Sequence, residues 1–487
     1  MNNKTFKPIK CGETIPIKNP HAISVSMPSI QNVIDYEEHT PEISKIITSA
    51  YPRFVRHPYI RRLSEFIAQK YSIANDNEVV IFSSQEAANR AIAEIKIEVK
   101  GEFNEPFGVA VAGVESKELS CLLKIIQEKG CILSSRAAQD YLYNNGILSE
   151  CFEEDLYLQN DAENQVKIAL AKAYAQSEKL IAIAPSGMNA VYAVAEGIRV
   201  EQAKNGRHIL VQLGWLYSDS MSVVKSYSNE FKVFLDVAML NELEAFLAEH
   251  GNEVSALLTE VPTNPLLKCV DLPRLRKLCT SYNIPLIIDT TIATPFLCNF
   301  TPYADIIIES LSKFASGNAD VLMGAIIFNE SGSAMHLKDS ILQYVEPVFI
   351  GDAKRMALKI QKYEERVVKT SKNAELLVRH FESCDYIEKV YSHQFNGKYV
   401  ALVSVTFKKN FRKLYDELNL PKGPSLGTEF TLAMPYTYLA HYDLINNEKG
   451  RAQLQEIDMP IDLLRISVGT EPIEMIIAEF DRSAAQI

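Results

Sequence analysis

Asp289, Ser310, Ser312 and Lys313 fall within one stretch, 284–320, that reads IPLIIDTTIATPFLCNFTPYADIIIESLSKFASGNAD. Their types suit one chemistry. A lysine amine condenses with an aldehyde, a carboxylate keeps a ring nitrogen protonated, and hydroxyls donate to a phosphate; pyridoxal phosphate makes all three demands. The elements that must position them are two short apolar runs, 284–288 and 305–308, with the length and β-branched content of buried parallel strands. Each ends in the polar residues of interest, and open α/β sheets bind ligands at the carboxyl ends of their strands.

SLSKF followed by GNAD resembles the SATKY…GHSD stretch of the cystathionine γ-synthase family, and IDTTIATP resembles its VDNTFATP. The resemblance implies that Lys313 carries the Schiff base and that Asp289 pairs with the pyridinium.

Composition sets wide bounds. The chain has 487 residues, 47% of them hydrophobic and 23% charged, which is enough for a large core and two or three domains. A net charge of −11, with no lysine and arginine cluster to offset it, argues against a nucleic-acid partner. No run approaches the length of a membrane span and MNNKTFKPIK lacks an apolar signal core, so the expected address is the cytoplasm. The eight cysteines are scattered without a C-x-x-C pair; buried free thiols such as Cys269, Cys279 and Cys298 are expected, with no metal site.

Residues 1–60 are rich in proline and without a long period, and read as an extended arm with one short helix near 29–36. YPRFVRHPY resembles the family's Y-S-R-x-x-N-P-T segment, which implies that Tyr51 and Arg53 reach the phosphate of a neighbouring subunit's cofactor. An amphipathic helix follows, with Ile60, Leu63, Phe66 and Ile67 on one face. Between 71 and 179 two apolar runs, VVIF and VAVAGV, each precede helical periodicity, and this stretch is expected to be a small inserted α/β subdomain.

IAIAPSGMNAVYAVAEGI reads as strand, tight turn and helix, with Ser186, Gly187 and Met188 at a helix start, where free amides bind anions. By resemblance they hold the cofactor phosphate together with Ser310 and Ser312. HILVQLGWLYSDS resembles the family's strand ending in D-x-Y-G-G-T, which implies that Tyr217 stacks on the pyridine; Ser218 and Asp219 replace the two glycines. In EVPTNPLL, Asn264 lies in a turn between prolines, placed to meet a substrate carboxylate or the cofactor's ring oxygen.

After 328 a long helical pattern, with Asp352 as its expected N-cap, should lead to a smaller α/β lobe. There KGPSLGTEF and LLRISVGTE resemble family motifs, which implies that Ser425 and Arg465 bind the substrate α-carboxylate, a task for which a guanidinium offers two parallel donors.

The expected fold is therefore α/β: the fold type I of pyridoxal-phosphate transferases, with a mostly parallel sheet in a cofactor domain at 61–335 and a smaller α/β domain at 336–487. Over nearly its whole length the chain resembles the elongated cystathionine γ-synthases typical of fungi. The activity this implies joins an O-activated homoserine to cysteine in methionine and trans-sulfuration metabolism. A homoserine-ester sulfhydrylase, a γ- or β-lyase, and a cofactor-binding regulatory protein remain the alternatives. Tyr51 or Tyr217 is the expected proton carrier, and a homodimer or homotetramer with shared sites is the expected assembly.

Overall fold

The computed structural model describes residues 6–51, 55–97 and 101–486. Seven strands form the central sheet, numbered here in chain order: β1 (Ile181–Ala184), β2 (Ile209–Leu213), β3 (Glu230–Phe234), β4 (Val254–Glu260), β5 (Leu286–Asp289), β6 (Ile306–Ser310) and β7 (Gly324–Phe328). They lie in the order β1-β7-β6-β5-β4-β2-β3. All neighbours are parallel except β7, which runs antiparallel to both β6 and β1. The two strands expected to carry the chemistry are adjacent, with Ile308 opposite Asp289. The apolar content of these strands serves both faces. Ile288 and Ile307 enter one core, with Val166 and Leu170 of helix Ala162–Tyr174; Ile287 and Ile308 enter the other, beneath helix Gly187–Ala203.

The smaller C-terminal domain holds four antiparallel strands, in the order Ile387–Tyr391, Leu402–Phe407, Leu464–Ser467, Leu432–Pro435. Helix Ile350–Lys359 and helix Tyr363–Glu382 lead into it through a 3-10 turn. Asp352 is not the N-cap: Phe349 occupies that position, and the Asp352 carboxylate, one turn in, accepts from Arg136 Nη1 at 3.0 Å.

The first fifty residues differ from the extended arm expected. Helix Ile30–Glu37, capped by Ser29, is followed by a second helix, Pro41–Ile46. Val25, Met27, Ile30, Val33, Ile43 and Ile47 are buried in the same apolar core as Leu377, Phe381, Val405 and Phe480 of the C-terminal domain. Hydrophobic burial thus binds this segment to its own chain.

In the inserted region, strands Asn77–Phe82 and Gly108–Gly113 pair antiparallel and carry helices Gln85–Ile95 and Lys117–Lys129. Helix Pro58–Lys70 buries Ile60, Leu63 and Ile67 against this unit, so the subdomain begins before residue 71. It also ends before 179, because helix Ala162–Tyr174 belongs to the core of the central sheet.

Candidate active site

The carboxyl ends of β4, β5 and β6 open into a cavity of about 860 Å³ between the two domains. Asp289 lies at the end of β5 and takes the Thr291 amide at 2.8 Å. Thr291 Oγ1 in turn accepts the Ser310 amide at 2.8 Å, which ties the carboxylate to the phosphate side of the site. Burial pushes the Asp289 carboxyl above the ordinary aspartate range. Only a cationic ring nitrogen or a proton can accompany its charge in such surroundings.

Lys313 follows β6 by three residues, and its Nζ donates to Ser425 Oγ at 3.2 Å. The Tyr51 ring stands 4.8 Å from the same nitrogen, in the same chain. Within one chain, then, the segment that buries residues 25–47 against the C-terminal domain brings Tyr51 to its own Lys313. Arg53 lies outside the described residues.

Ser186 caps helix Gly187–Ala203, its Oγ accepting the Asn189 amide and donating to the Gly130 carbonyl, each at 3.0 Å. Its hydroxyl is therefore spent on holding the turn, while the first-turn amides of Gly187 and Met188 have no intrahelical acceptor. A Cβ on Gly187 would stand 2.8 Å from Ser310 Cβ, so only glycine lets the turn approach Ser310 this closely. Ser310 lines the cavity. Ser312 is buried; its Oγ takes the Met323 amide at 2.9 Å and lies 3.3 Å from the Met323 carbonyl, satisfying backbone groups that would otherwise be unpaired.

On the opposite wall Arg465 is only 5% exposed. Its guanidinium donates to Asn264 Oδ1 at 3.2 Å and the Ser425 carbonyl at 2.8 Å, and lies 3.0 Å from the Met434 sulfur. Its centre is 5.2 Å from the Tyr436 ring. All these partners are neutral, so among the described residues this cation is not part of a structural ion pair. Burial lowers its pKa to about 10, a direction that a bound carboxylate would reverse. Gly427 closes the loop behind it at φ +75°, where a Cβ would meet the Phe314 amide nitrogen at 2.5 Å.

Tyr217 lines the cavity, and its backbone N–H donates to Glu260 Oε1 at 2.5 Å. Glu260, at the end of β4 and opposite Asp289, was not singled out from the sequence, although it stands four residues before Asn264 at a strand end. The inserted subdomain contributes as well: Gln127 lines the cavity and donates to Asp219 Oδ1 at 3.2 Å. Gln127 was not legible, because it enters from the separate helix Lys117–Lys129. Of the three cysteines expected to be buried only Cys279 is fully so, and all eight are free thiols.

A phosphate seat, a carboxylate for a ring nitrogen, a lysine and a buried guanidinium thus converge on one cavity, a donor set that fits pyridoxal phosphate with an amino acid. Residues 158–485 match the family described as Cys/Met metabolism PLP-dependent enzyme. The chain belongs to that family. Pyridoxal phosphate is its cofactor, and the chain is an enzyme of the Cys/Met-metabolism type. It is 33% identical to L-2-amino-4-chloropent-4-enoate dechlorinase/desaturase of Streptantibioticus cattleyicolor, over 95% of this chain and 96% of the relative. It is 23% identical to cystathionine gamma-synthase of Saccharomyces cerevisiae, over 97% of this chain and 98% of the relative. Among solved structures, cystathionine gamma synthase from Xanthomonas oryzae pv. oryzae superposes with a TM-score of 0.58 at 20% identity, covering 68% of this chain and 87% of the other. The fold is that of the pyridoxal-phosphate enzymes of fold type I. Among the described residues no helix is long and apolar enough to cross a membrane.

Proposed function

We propose that this enzyme expels a leaving group from Cγ of an L-α-amino acid. The observation that carries this is the pairing of Lys313 with Arg465: both meet Ser425, one at its hydroxyl and one at its carbonyl. An α-carboxylate seated on Arg465 brings the adjacent Cα within reach of the lysine amine. Pyridoxal phosphate supplies the electron sink there. Lys313 Nζ would then move protons between Cα and Cβ, and Tyr51 or Tyr217 would give a proton to a departing oxygen or sulfur, whereas chloride departs as the anion.

Two fates are open after departure. Capture of the unsaturated product by cysteine is the cystathionine γ-synthase reaction of an O-acylhomoserine, within methionine and trans-sulfuration metabolism. Loss of a further proton instead leaves a more unsaturated amino acid. The relationship at 33% identity over nearly the whole chain favours the second fate, and we give it precedence over cystathionine synthesis. For a 2-amino-4-chloropent-4-enoate the C4–Cl bond breaks, chloride and one proton leave, and an alkyne remains.

The test incubates cofactor-loaded protein with that chloroalkene, and with O-acetyl- and O-succinylhomoserine with and without cysteine, reading chloride and products by mass. Chloride with the alkyne supports desaturation. Cystathionine formed only with cysteine moves the assignment to γ-replacement, and 2-oxobutanoate alone moves it to a lyase. Lys313→Ala should abolish every product; turnover retained in that variant would contradict the proposal. A dimeric or tetrameric assembly in the cytoplasm belongs to the same proposal, and sedimentation of the loaded protein tests the assembly.

A further inference from the structure

We propose that Glu260 is the positioning residue of the cofactor site, fixing Tyr217 and Asn264 together through their backbone amides. It rests on the cofactor reading of the cavity and on stacking by Tyr217, not on which Cγ reaction the enzyme performs.

Glu260 ends β4 in register with Asp289 on β5, so two carboxyl groups stand side by side at the floor of one cavity. It is 6% exposed. Among the described residues no cation pairs with either group, and two adjacent carboxylates deprived of water do not both ionise. Since the ring nitrogen needs the charge of Asp289, Glu260 is the member that keeps its proton. Its position supports this: burial first, and then the charge of Asp289, hold its carboxyl well above the ordinary glutamate range.

A protonated carboxyl still has a carbonyl oxygen to offer. That oxygen accepts the Tyr217 N–H at 2.5 Å, and the Asn264 amide also acts on the group. Tyr217 begins helix Ser218–Ser226, so its ring direction depends on where its amide is held. Asn264 passes the constraint on, because its Oδ1 takes Arg465 Nη1 at 3.2 Å. One side chain thereby sets the loop after β2 that bears the stacking ring and the loop after β4 that orients the carboxylate-binding guanidinium. Glutamine presents the same carbonyl and an N–H where the acid has its O–H; alanine presents neither.

The experiment compares Glu260→Ala and Glu260→Gln with the parent, all loaded with cofactor. The readouts are visible circular dichroism of the bound cofactor, its dissociation constant by equilibrium dialysis, and the KM and kcat of whichever reaction the product assay establishes. Glu260→Ala should weaken cofactor binding at least tenfold, change the visible dichroism and raise KM at least fivefold. Glu260→Gln should restore all three to within threefold. In a Tyr217→Ala background, Glu260→Ala should cost less than threefold further in cofactor affinity. Unchanged dichroism and affinity in Glu260→Ala would overturn the proposal, as would a glutamine variant no better than alanine. If alanine prevents folding, Glu260→Asp serves, whose shorter reach should weaken cofactor binding while glutamine does not. Because dialysis and dichroism need no turnover, failure here is separable from failure of the proposed reaction.

Discussion

Lys313 Nζ and Ser425 Oγ are 3.2 Å apart, and the backbone of Ser425 sits at φ +94°, a conformation that residues with a side chain rarely adopt. The same residue gives its carbonyl to Arg465. The strain is thus located where one residue must meet the lysine with its side chain and the arginine with its main chain. Ser425→Ala should keep the strained loop, lose the hydroxyl and lower kcat about tenfold with KM little changed. Ser425→Gly should lose the hydroxyl and also relax the loop, raising KM as well. Steady-state kinetics of the two variants separates these effects.

Arg465→Lys tests the geometry of the carboxylate seat. Lysine keeps the charge but not the parallel donors, and it cannot reach Asn264 Oδ1 and the Ser425 carbonyl as a fork. We expect kcat/KM to fall by about two orders of magnitude, mostly through KM, with cofactor content unchanged by absorbance.

Gly187→Ala would place a methyl 2.8 Å from Ser310 Cβ and 2.9 Å from its Oγ. The helix start must then retreat from Ser310, which widens the phosphate seat. Cofactor affinity measured by dialysis should drop at least tenfold, while thermal stability of the apoprotein changes little.

What could be read from the sequence, and what could not, divides along a physical line. Asp289 ends an apolar run of strand length and Lys313 closely follows another, so the pattern located the elements that carry them, whereas Gly187 and Arg465, the latter inside strand Leu464–Ser467, were singled out by resemblance to family motifs. Ser310 and Ser312 could not be told apart, because hydroxyls two apart beyond a strand end give no period to follow, and the Met323 amide that Ser312 accepts comes from a later segment. The first fifty residues showed proline and no period, yet Ile30, Val33, Ile43 and Ile47 find their core in segments more than three hundred residues away. Gln127 depends on which helix of the inserted subdomain meets the cavity and Glu260 on which strand lies beside β5, and local sequence records neither.

Glu309 offers a pH prediction away from the chemistry. It is buried on β6 and accepts Tyr174 Oη and Tyr363 Oη, each at 2.5 Å, joining helix Ala162–Tyr174 to the helix that leads into the smaller domain. Burial pushes its carboxyl up to about 7. The unfolded chain has an ordinary glutamate near 4.3, so the folded state holds the proton more tightly. The sign follows from linkage: this contribution is fully present below about pH 4, and declines as the pH rises through about 7. The difference corresponds to about 4 kcal/mol at most. Glu309→Gln carries no titrating proton and can still accept one tyrosine. Denaturant midpoints for the parent should therefore fall between pH 5 and 8 relative to the glutamine variant, with most of the fall complete by about pH 7. Parallel curves across that range would show that Glu309 is ionised in the folded protein.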